Sequence, residues 1–396
     1  MNSTQHSDPL DEVDVTGQAK AWKFAALSAV LASGYGVLFT MGGDYREAYG
    51  ISETTFGYII GIGFILSFFT QIRLGPLGDQ GYARLMMLGG GATYIVGLLM
   101  MGFGTTAPLI IGGRIVSGIA IGAASPAIKR TVVVGSGENL GRNLGRLFSA
   151  DVFGFAMGPI VSALLVGPFG IAAPFIVIAV ATLVAMAICW SVRVDEVTDA
   201  APQPFAFDLL KQRSFAGAVM LGTAAYIMIG AFDTLWDLVH TDLETSEWMA
   251  NLGIALFAIP LVLLGPTSGK LAQRIGPFIT AAVGLLLGCF FFGIYGVLTI
   301  GGAIFAVTMV HALTDGLSFA ASGVAVGMTA PESRQAGAQG VLGGVQSLGA
   351  GLMAPMTGWL YDTRGQQWAY WFAAVVMFVM IAGGLVLARP ALRLRG

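Results

Sequence analysis

Charged residues are scarce in this sequence. Only 11% of its 396 residues are charged, whereas soluble globular proteins carry about 25%. An ordinary soluble domain is therefore excluded, and we expect no nucleic-acid partner.

Histidine and cysteine are also rare, with three and two residues respectively. None of them has metal-ligand spacing, so the sequence does not favour a metalloenzyme. Cys189 and Cys289 each lie inside an apolar run, which is typical of small buried side chains. Because no Ser/His/Asp constellation or nucleotide-binding motif is visible either, we expect neither an enzyme nor a bound cofactor.

Long apolar runs, by contrast, fill most of the chain, and 56% of its residues are hydrophobic. A membrane-spanning helix needs about 20 apolar residues, so these runs predict an all-α membrane protein with twelve spans. The first run is longer than the apolar core of a signal peptide, about 7–15 residues, and we interpret it as a span. The predicted spans are 24–41, 54–74, 83–104, 108–130, 147–167, 171–191, 214–238, 248–268, 278–298, 302–328, 336–360 and 369–389.

A polar stretch with acidic residues and prolines divides the spans into two sets of six. The pattern predicts two pseudo-symmetric six-helix bundles, functional as a monomer in a lipid bilayer. The predicted parts are a disordered tail (1–22), an N-terminal bundle (23–192), a linker (193–213), a C-terminal bundle (214–390) and a tail (391–396).

Basic residues predict how the chain lies in the membrane, because cytoplasmic loops carry an excess of Lys and Arg. With the N-terminus in the cytoplasm, only Arg46, Arg364 and Arg114 of the 20 Lys and Arg residues fall elsewhere than the cytoplasmic side. We therefore expect a multi-pass protein of a bacterial inner membrane with both termini cytoplasmic.

Two glycine-containing turns repeat at one constant offset in the chain. Gly75 and Leu77 align with Gly269 and Leu271, each pair directly after the second apolar run of its set. The two halves therefore look like copies of one another.

Twelve spans with this turn after the second span of each half resemble the major facilitator superfamily, over residues 24 to 390. The family signature G-x-L-A-D-R-x-G-R-[RK] is matched by Gly75, Leu77, Asp79 and Gly81. The first turn is one residue short after Asp79, and in the second turn Gln273 replaces the Asp. The signature is specific to the superfamily and does not indicate a substrate.

Two further motifs narrow the resemblance, the first to a pattern of the family and the second to its drug:proton antiporter branch. Arg114 begins a stretch similar to R-x-x-Q-G-x-G-A-A, and Gly154, Gly158 and Pro159 resemble the G-x-x-x-G-P motif. The alternative is that these small residues only allow close helix packing. The resemblance implies antiport, and the packing reading stays open beside it.

Ionisable residues inside spans are costly and are usually functional. Asp315 lies near the middle of the tenth span, with His311 four residues earlier on the same helix face. Because histidine titrates near neutrality, the pair can relay a proton. Asp233 lies in the seventh span, and the resemblance implies that acidic residues in these two spans couple proton movement. A static polar network is the alternative.

Arg114 lies inside the fourth span and needs a partner there. We predict a pair with Asp44, broken by protonation or by substrate; a fixed structural pair is the alternative.

The resemblance implies that Asp79 contacts the start of the eleventh span near Ser333 and closes the cytoplasmic side. A carboxylate is favoured at a helix N-terminus. Gly75, Gly81 and Arg84 belong to this predicted latch, and Asp151 at the start of the fifth span extends it. Solvated loop charges are the alternative for Asp151.

A substrate cavity is expected between the two halves, lined by Tyr35, Phe39, Tyr226 and Phe319. The alternative for these four residues is ordinary helix packing. No cluster of basic residues occupies the predicted cavity-facing positions, which disfavours polyanions. The sequence thus predicts a proton-coupled exporter of amphiphilic or drug-like molecules. A proton-coupled importer of a sugar or organic acid, or a membrane sensor without transport, are the alternatives.

Overall fold

The computed structural model describes residues 15–192, 194 and 205–393. Most of the predicted N-terminal tail, the middle of the predicted linker and the last three residues lie outside the described residues. Within the described ranges the chain is helical and contains no β-strand.

Thirteen α-helices follow one another along these ranges. They are α1 (Val15–Thr40), α2 (Gly42–Tyr49), α3 (Glu53–Leu74), α4 (Ala83–Phe103), α5 (Ala107–Val134), α6 (Leu140–Phe169), α7 (Ala172–Trp190), α8 (Arg213–Asp242), α9 (Glu247–Ile275), α10 (Pro277–Tyr295), α11 (Gly301–Thr329), α12 (Gln335–Arg364) and α13 (Gln366–Arg393). Short 3₁₀ turns lie at Gly75–Asp79, Gly137–Asn139, Phe207–Lys211 and Glu332–Arg334.

Twelve of these helices correspond to the twelve predicted spans, and α2 is a short polar helix that the sequence did not predict. Eleven of the twelve are long and apolar enough to cross a membrane. The remaining one, α12, has 30 residues but carries three buried glutamines, Gln335, Gln339 and Gln346. Because these polar side chains face protein and not lipid, the mean hydropathy of α12 underestimates its ability to span a membrane.

Several helices are longer than the apolar runs that predicted them. Predicted to begin at residue 147, α6 begins at Leu140, and α5 continues to Val134 instead of ending at 130. Hydropathy marks the membrane-embedded part of a helix, whereas the hydrogen-bonded backbone continues into the water layer.

The helices form two bundles with matching contacts. In the first, α1 packs on α6, α4 on α5, and α4 on α7; in the second, α8 packs on α12, α10 on α11, and α10 on α13. Between the bundles, α6 packs on α9 and α3 packs on α12. This is the pseudo-symmetric arrangement expected from the two sequence halves.

Glycines allow the backbones to meet within the first bundle. A Cβ atom at Gly154 would overlap the carbonyl oxygen of Ala29, and one at Gly158 would overlap Gly36 and Val37 of α1. The motif that resembles the antiporter pattern is therefore the close-packing surface between α6 and α1.

The tightest described backbone contacts between the two bundles lie on one side of the molecule. Gly141 and Gly145, near the start of α6, touch Gly269 and Gly265, near the end of α9. Gly75, at the end of α3, likewise lies against Gly340 near the start of α12. We call this the latch side, and the side that carries α2 the opposite side.

Filling the contact between α6 and α1 is expected to destabilise the first bundle. Gly154→Leu places a side chain where α1 backbone lies, and overpacking of this kind costs about 1–3 kcal/mol. For a bundle of this size each kcal/mol lowers the melting temperature by roughly 2–4 °C. Thermal unfolding of the purified protein measures the change.

Gly167→Leu is the matched control, because it lies on the same helix with no atom within 4 Å of the added Cβ. Equal melting temperatures for the two variants would show that the contact at Gly154 is not tight.

Candidate transport site

A cavity of about 340 Å³ lies between the two bundles. Its wall is mostly apolar and aromatic, and it receives side chains from both halves of the chain. Pockets of roughly 300–1,000 Å³ with few polar groups are typical of small-molecule sites. The ionisable side chains in the wall are Arg114, Lys129, Asp151, Asp233, His311 and Asp315, together with Tyr35 and Tyr226.

His311 and Asp315 form a buried pair on α11. The His311 Nε2 atom is 3.4 Å from Asp315 Oδ1, and both side chains are almost fully buried. The other ring nitrogen, Nδ1, is 3.1 Å from the hydroxyl of Tyr295, which accepts a hydrogen bond from Thr308. The structure thus brings together the two residues that the sequence paired, and adds a hydroxyl chain behind them.

Asp233 lies on α8 and faces the same cavity. Within the described part of the chain its carboxyl group has no hydrogen-bond or ion-pair partner. It is within electrostatic reach of Tyr35 on α1, in the other half. A carboxylate without a protein partner at this depth is costly, so a proton, a substrate group or a changed conformation has to satisfy it.

Arg114 also faces the cavity without an anionic partner. Its guanidinium lies over the rings of Tyr35 and Phe64, at 5.1 and 5.8 Å from their centroids. Only 4% of the residue is exposed, and its Nε atom is buried without a hydrogen bond to any described residue.

The predicted pair between Arg114 and Asp44 is wrong for this conformation. Asp44 lies on α2 outside the cavity, where α1 has already ended and the chain turns on the opposite side. The sequence placed both residues at similar depth but could not show that α2 leads the carboxylate away from α5.

Asp151 occupies the cavity wall instead of the predicted latch. It accepts a hydrogen bond from Ser28 of α1, and Lys129 of α5 lies within electrostatic reach. The prediction failed because α6 begins at Leu140, which places Asp151 about 16 Å along the helix.

Aromatic side chains form much of the remaining wall. Tyr35 stacks on Phe155 at 5.5 Å, and Phe319 stacks on Phe148 at 5.3 Å between the two halves. Tyr226 packs edge-on against Phe319. Phe39 contacts Tyr35 at 6.3 Å but lies behind the cavity wall, so only three of the four predicted aromatic residues line the cavity.

Asp79 joins the two halves on the latch side. Its two carboxylate oxygens accept hydrogen bonds of 2.8 Å from the backbone N–H groups of Ala336 and Gly337, at the start of α12. Arg130 Nε is 3.2 Å from Asp79 Oδ1 and completes the site. The free N–H groups and the dipole of a helix N-terminus favour a carboxylate there.

The shortened turn after Asp79 still allows this contact. Gly81 has a φ of +85°, which lets the chain reverse within fewer residues. Arg84 donates a hydrogen bond to the Trp190 carbonyl at 2.7 Å and lies over the Trp190 ring, both contacts being within the first bundle. The inclusion of Arg84 in the latch stays a prediction.

Gln273 makes the corresponding contact from the second half. Its Oε1 atom accepts a hydrogen bond of 2.6 Å from the Gly141 N–H, and its Nε2 atom donates to the Glu138 carbonyl at 3.1 Å. A carboxylate could not donate to that carbonyl. The glutamine that departs from the family signature thus serves both groups at the start of α6.

The end of the linker packs beside the first latch. Arg334 donates two hydrogen bonds to Asp208, one of them 2.8 Å long, and holds the pKa of the Asp208 carboxyl below its usual range. The carboxylate form therefore persists at neutral pH, and the pair is lost only as the pH falls through that lowered pKa. Both residues are partly exposed, so the pair stabilises little.

The sequence matches one family model over most of its length. The family model described as Major Facilitator Superfamily matches residues 24–240 and 214–395. The chain belongs to the major facilitator superfamily. It is accordingly a multi-pass membrane protein and a secondary transporter of small molecules, not an enzyme.

One solved structure of this superfamily shows the same fold. The crystal structure of the human organic anion transporter MFSD10 (TETRAN) aligns with a TM-score of 0.76 and 14% identity, covering 94% of this chain and 100% of that one. At that identity the likeness shows the fold alone. No curated protein matches the sequence.

Lys129 lines the cavity, which the sequence did not predict. Its place near the end of the fourth predicted span indicates a cytoplasmic loop charge, whereas its side chain lines the cavity. Arg114 and Lys129 lie about 22 Å apart along α5, so the two of them do not form a cluster of basic residues. The spacing of Arg114, Gly118, Ile121, Ser125 and Lys129 places all five on one face of α5. That periodicity was the available signal.

Neutralising the latch carboxylate is expected to open the latch side. In Asp79→Asn the amide N–H groups face other donors, either the Ala336 and Gly337 N–H groups or Arg130, so at least one hydrogen bond is lost. Hydrogen bonds to charged groups contribute roughly 1.5–3 kcal/mol. The open population should rise about tenfold. The labelling rate of Leu144→Cys, a buried residue of α6 at the contact between the bundles, measures it.

Cys189→Ala and Cys289→Ala provide the background for this labelling. Asp208→Asn is the control, because it removes a nearby ion pair without touching the other half. Unchanged labelling in Asp79→Asn, or equal labelling in both variants, would contradict the role of Asp79.

Proposed function

We propose that this transporter couples export of amphiphilic small molecules to proton entry. The observation that supports the proposal is the unpartnered carboxylate of Asp233, which shares one cavity with the His311–Asp315 pair. A proton and a substrate can compete for these groups from the same aqueous space.

The direction of transport rests on the positive-residue pattern. Lys and Arg residues concentrate at the latch side, which we therefore assign to the cytoplasm. Contacts between Gly141 and Gly269 and between Asp79 and Ala336 close that side. The described conformation is then the one from which a substrate leaves to the outside and protons enter the cavity.

Coupling follows if proton and substrate favour different conformations. A ligand shifts an equilibrium between two states only by its differential affinity for them. Asp233 is on α8 and Asp315 on α11, and both helices belong to the second bundle, whereas Tyr35 and Arg114 belong to the first. Protonation at Asp233 changes the charge facing the first bundle, and this alters the relative stability of the two conformations.

The wall chemistry supports an amphiphilic substrate. Stacked aromatic pairs at Tyr35–Phe155 and Phe148–Phe319 offer flat apolar surfaces, and Met228 offers an adaptable one. A sugar would need a denser set of hydrogen-bonding side chains than this largely apolar wall presents.

Removing the unpartnered carboxylate should abolish coupling. In proteoliposomes with a pH-sensitive dye inside, wild type should show substrate-dependent proton movement, whereas Asp233→Asn and Asp315→Asn should not. The substrate panel consists of lipophilic cations, aromatic carboxylic acids and sugars, each tested in both directions.

Asp362→Asn is the matched control, because Asp362 is exposed outside the cavity. Proton movement retained in both cavity variants would contradict the coupling role. Movement of protons and substrate in the same direction would replace export by metabolite import.

A further inference from the structure

We infer that the substrate carries a carboxylate or similar anionic group, and that Arg114 binds it. This inference rests on the proposed transport site and specifies the chemical class of its substrate. The carboxylates of the cavity alone would favour a cation instead.

The basic side chains of the cavity differ in whether a carboxylate lies beside them. Lys129 lies beside Asp151, and His311 lies beside Asp315. Arg130, outside the cavity, is paired with Asp79. Among the described basic residues that face the cavity, Arg114 is thus the one without a neighbouring carboxylate.

Protein surrounds most of the Arg114 guanidinium. An arginine has five N–H donors, and Arg114 satisfies none of them with a described protein acceptor. Its flat faces are covered by Tyr35 and Phe64, while a Cβ added at Gly63 would overlap the guanidinium itself. Protein thus covers both faces and the Nε atom, and the terminal Nη groups are the part of the side chain left to face the cavity that Arg114 lines.

A carboxylate is the group that fits the free N–H groups of Arg114. A guanidinium binds a carboxylate through two parallel hydrogen bonds, and in a low-dielectric site such a bond strengthens. The rings of Tyr35 and Phe155 lie next to the same position and present an apolar surface. An aromatic ring carrying a short acidic side chain matches both features.

Asp233 does not serve as the carboxylate partner of Arg114 in the described conformation. Asp233 is the other unpartnered charge of the cavity, but it lies on α8 in the second bundle, and no ion pair joins it to Arg114 in the described conformation. An anionic substrate would occupy the gap while a proton neutralises Asp233. The two unpartnered charges thereby acquire different ligands.

A matched set of three fluorescent probes tests this inference without any mutation. The probes are 1-naphthylacetate, its methyl ester and 1-naphthylmethylammonium, which share one ring system and differ in charge. Equilibrium dialysis at pH 7.5 against the protein in nanodiscs, with empty nanodiscs as the blank, measures binding. We expect the acid to bind at least about tenfold more tightly than the ester or the amine, since hydrogen bonds to charged groups are strong.

Two variants then identify the side chain. Arg114→Gln should weaken binding of the acid about tenfold or more, and Arg114→Lys should restore part of it, because lysine keeps the charge but not the fork. Lys129→Gln, which removes the other cavity cation, should weaken it far less. Size-exclusion profiles and melting temperatures check that each variant is folded.

Three results would overturn the inference. Equal or tighter binding of the ester or the amine, binding of none of the three, or an Arg114→Gln variant that binds the acid as wild type does would each do so. Proton-coupled flux of the amine would leave the proposed function standing while the anionic class fails. Acid binding at Arg114 without proton coupling would show the reverse.

Discussion

The cost of burying an ionisable group away from water is the constraint on which this structure depends. Charges inside a membrane protein persist where a partner or a function holds them. Arg130 has Asp79, His311 has Asp315, and Asp151 has Ser28 and Lys129. Among the described residues, Arg114 and Asp233 lack such partners and face one cavity from opposite bundles, and this is why we propose that cavity as the transport site.

The same constraint closes the latch side through two unequal contacts. Asp79 uses charge, an arginine and two backbone N–H groups at the start of α12, whereas Gln273 uses a neutral amide at the start of α6. Between them, glycines let α6 approach α9 at backbone distance. A closed side made of short hydrogen bonds and small residues can separate without exposing a large apolar surface.

Much of the fold was predictable from the sequence. The spans, the two bundles and the His311–Asp315 pair follow from hydropathy and helical spacing, which are local properties. Two of the failures have one cause in common: apolar runs do not mark where a helix begins or ends. Asp151 was misplaced because α6 starts seven residues before its apolar run, and Lys129 was missed because α5 ends four residues after its own. The position of Asp44 depends on α2, which is too short and polar to be seen in hydropathy.

The central claim is that the two bundles move against each other, so that one side closes as the other opens. Two spin-label distances across the bundles, measured in one series, test it most directly. One joins Tyr82 to Ser333 on the latch side, and the other joins Ala48 to Asp362 on the opposite side; these four positions are exposed. We predict that the two distances change in opposite directions when the pH is lowered from alkaline to acidic. Distances that change together, or that both stay fixed while the protein transports, would contradict it.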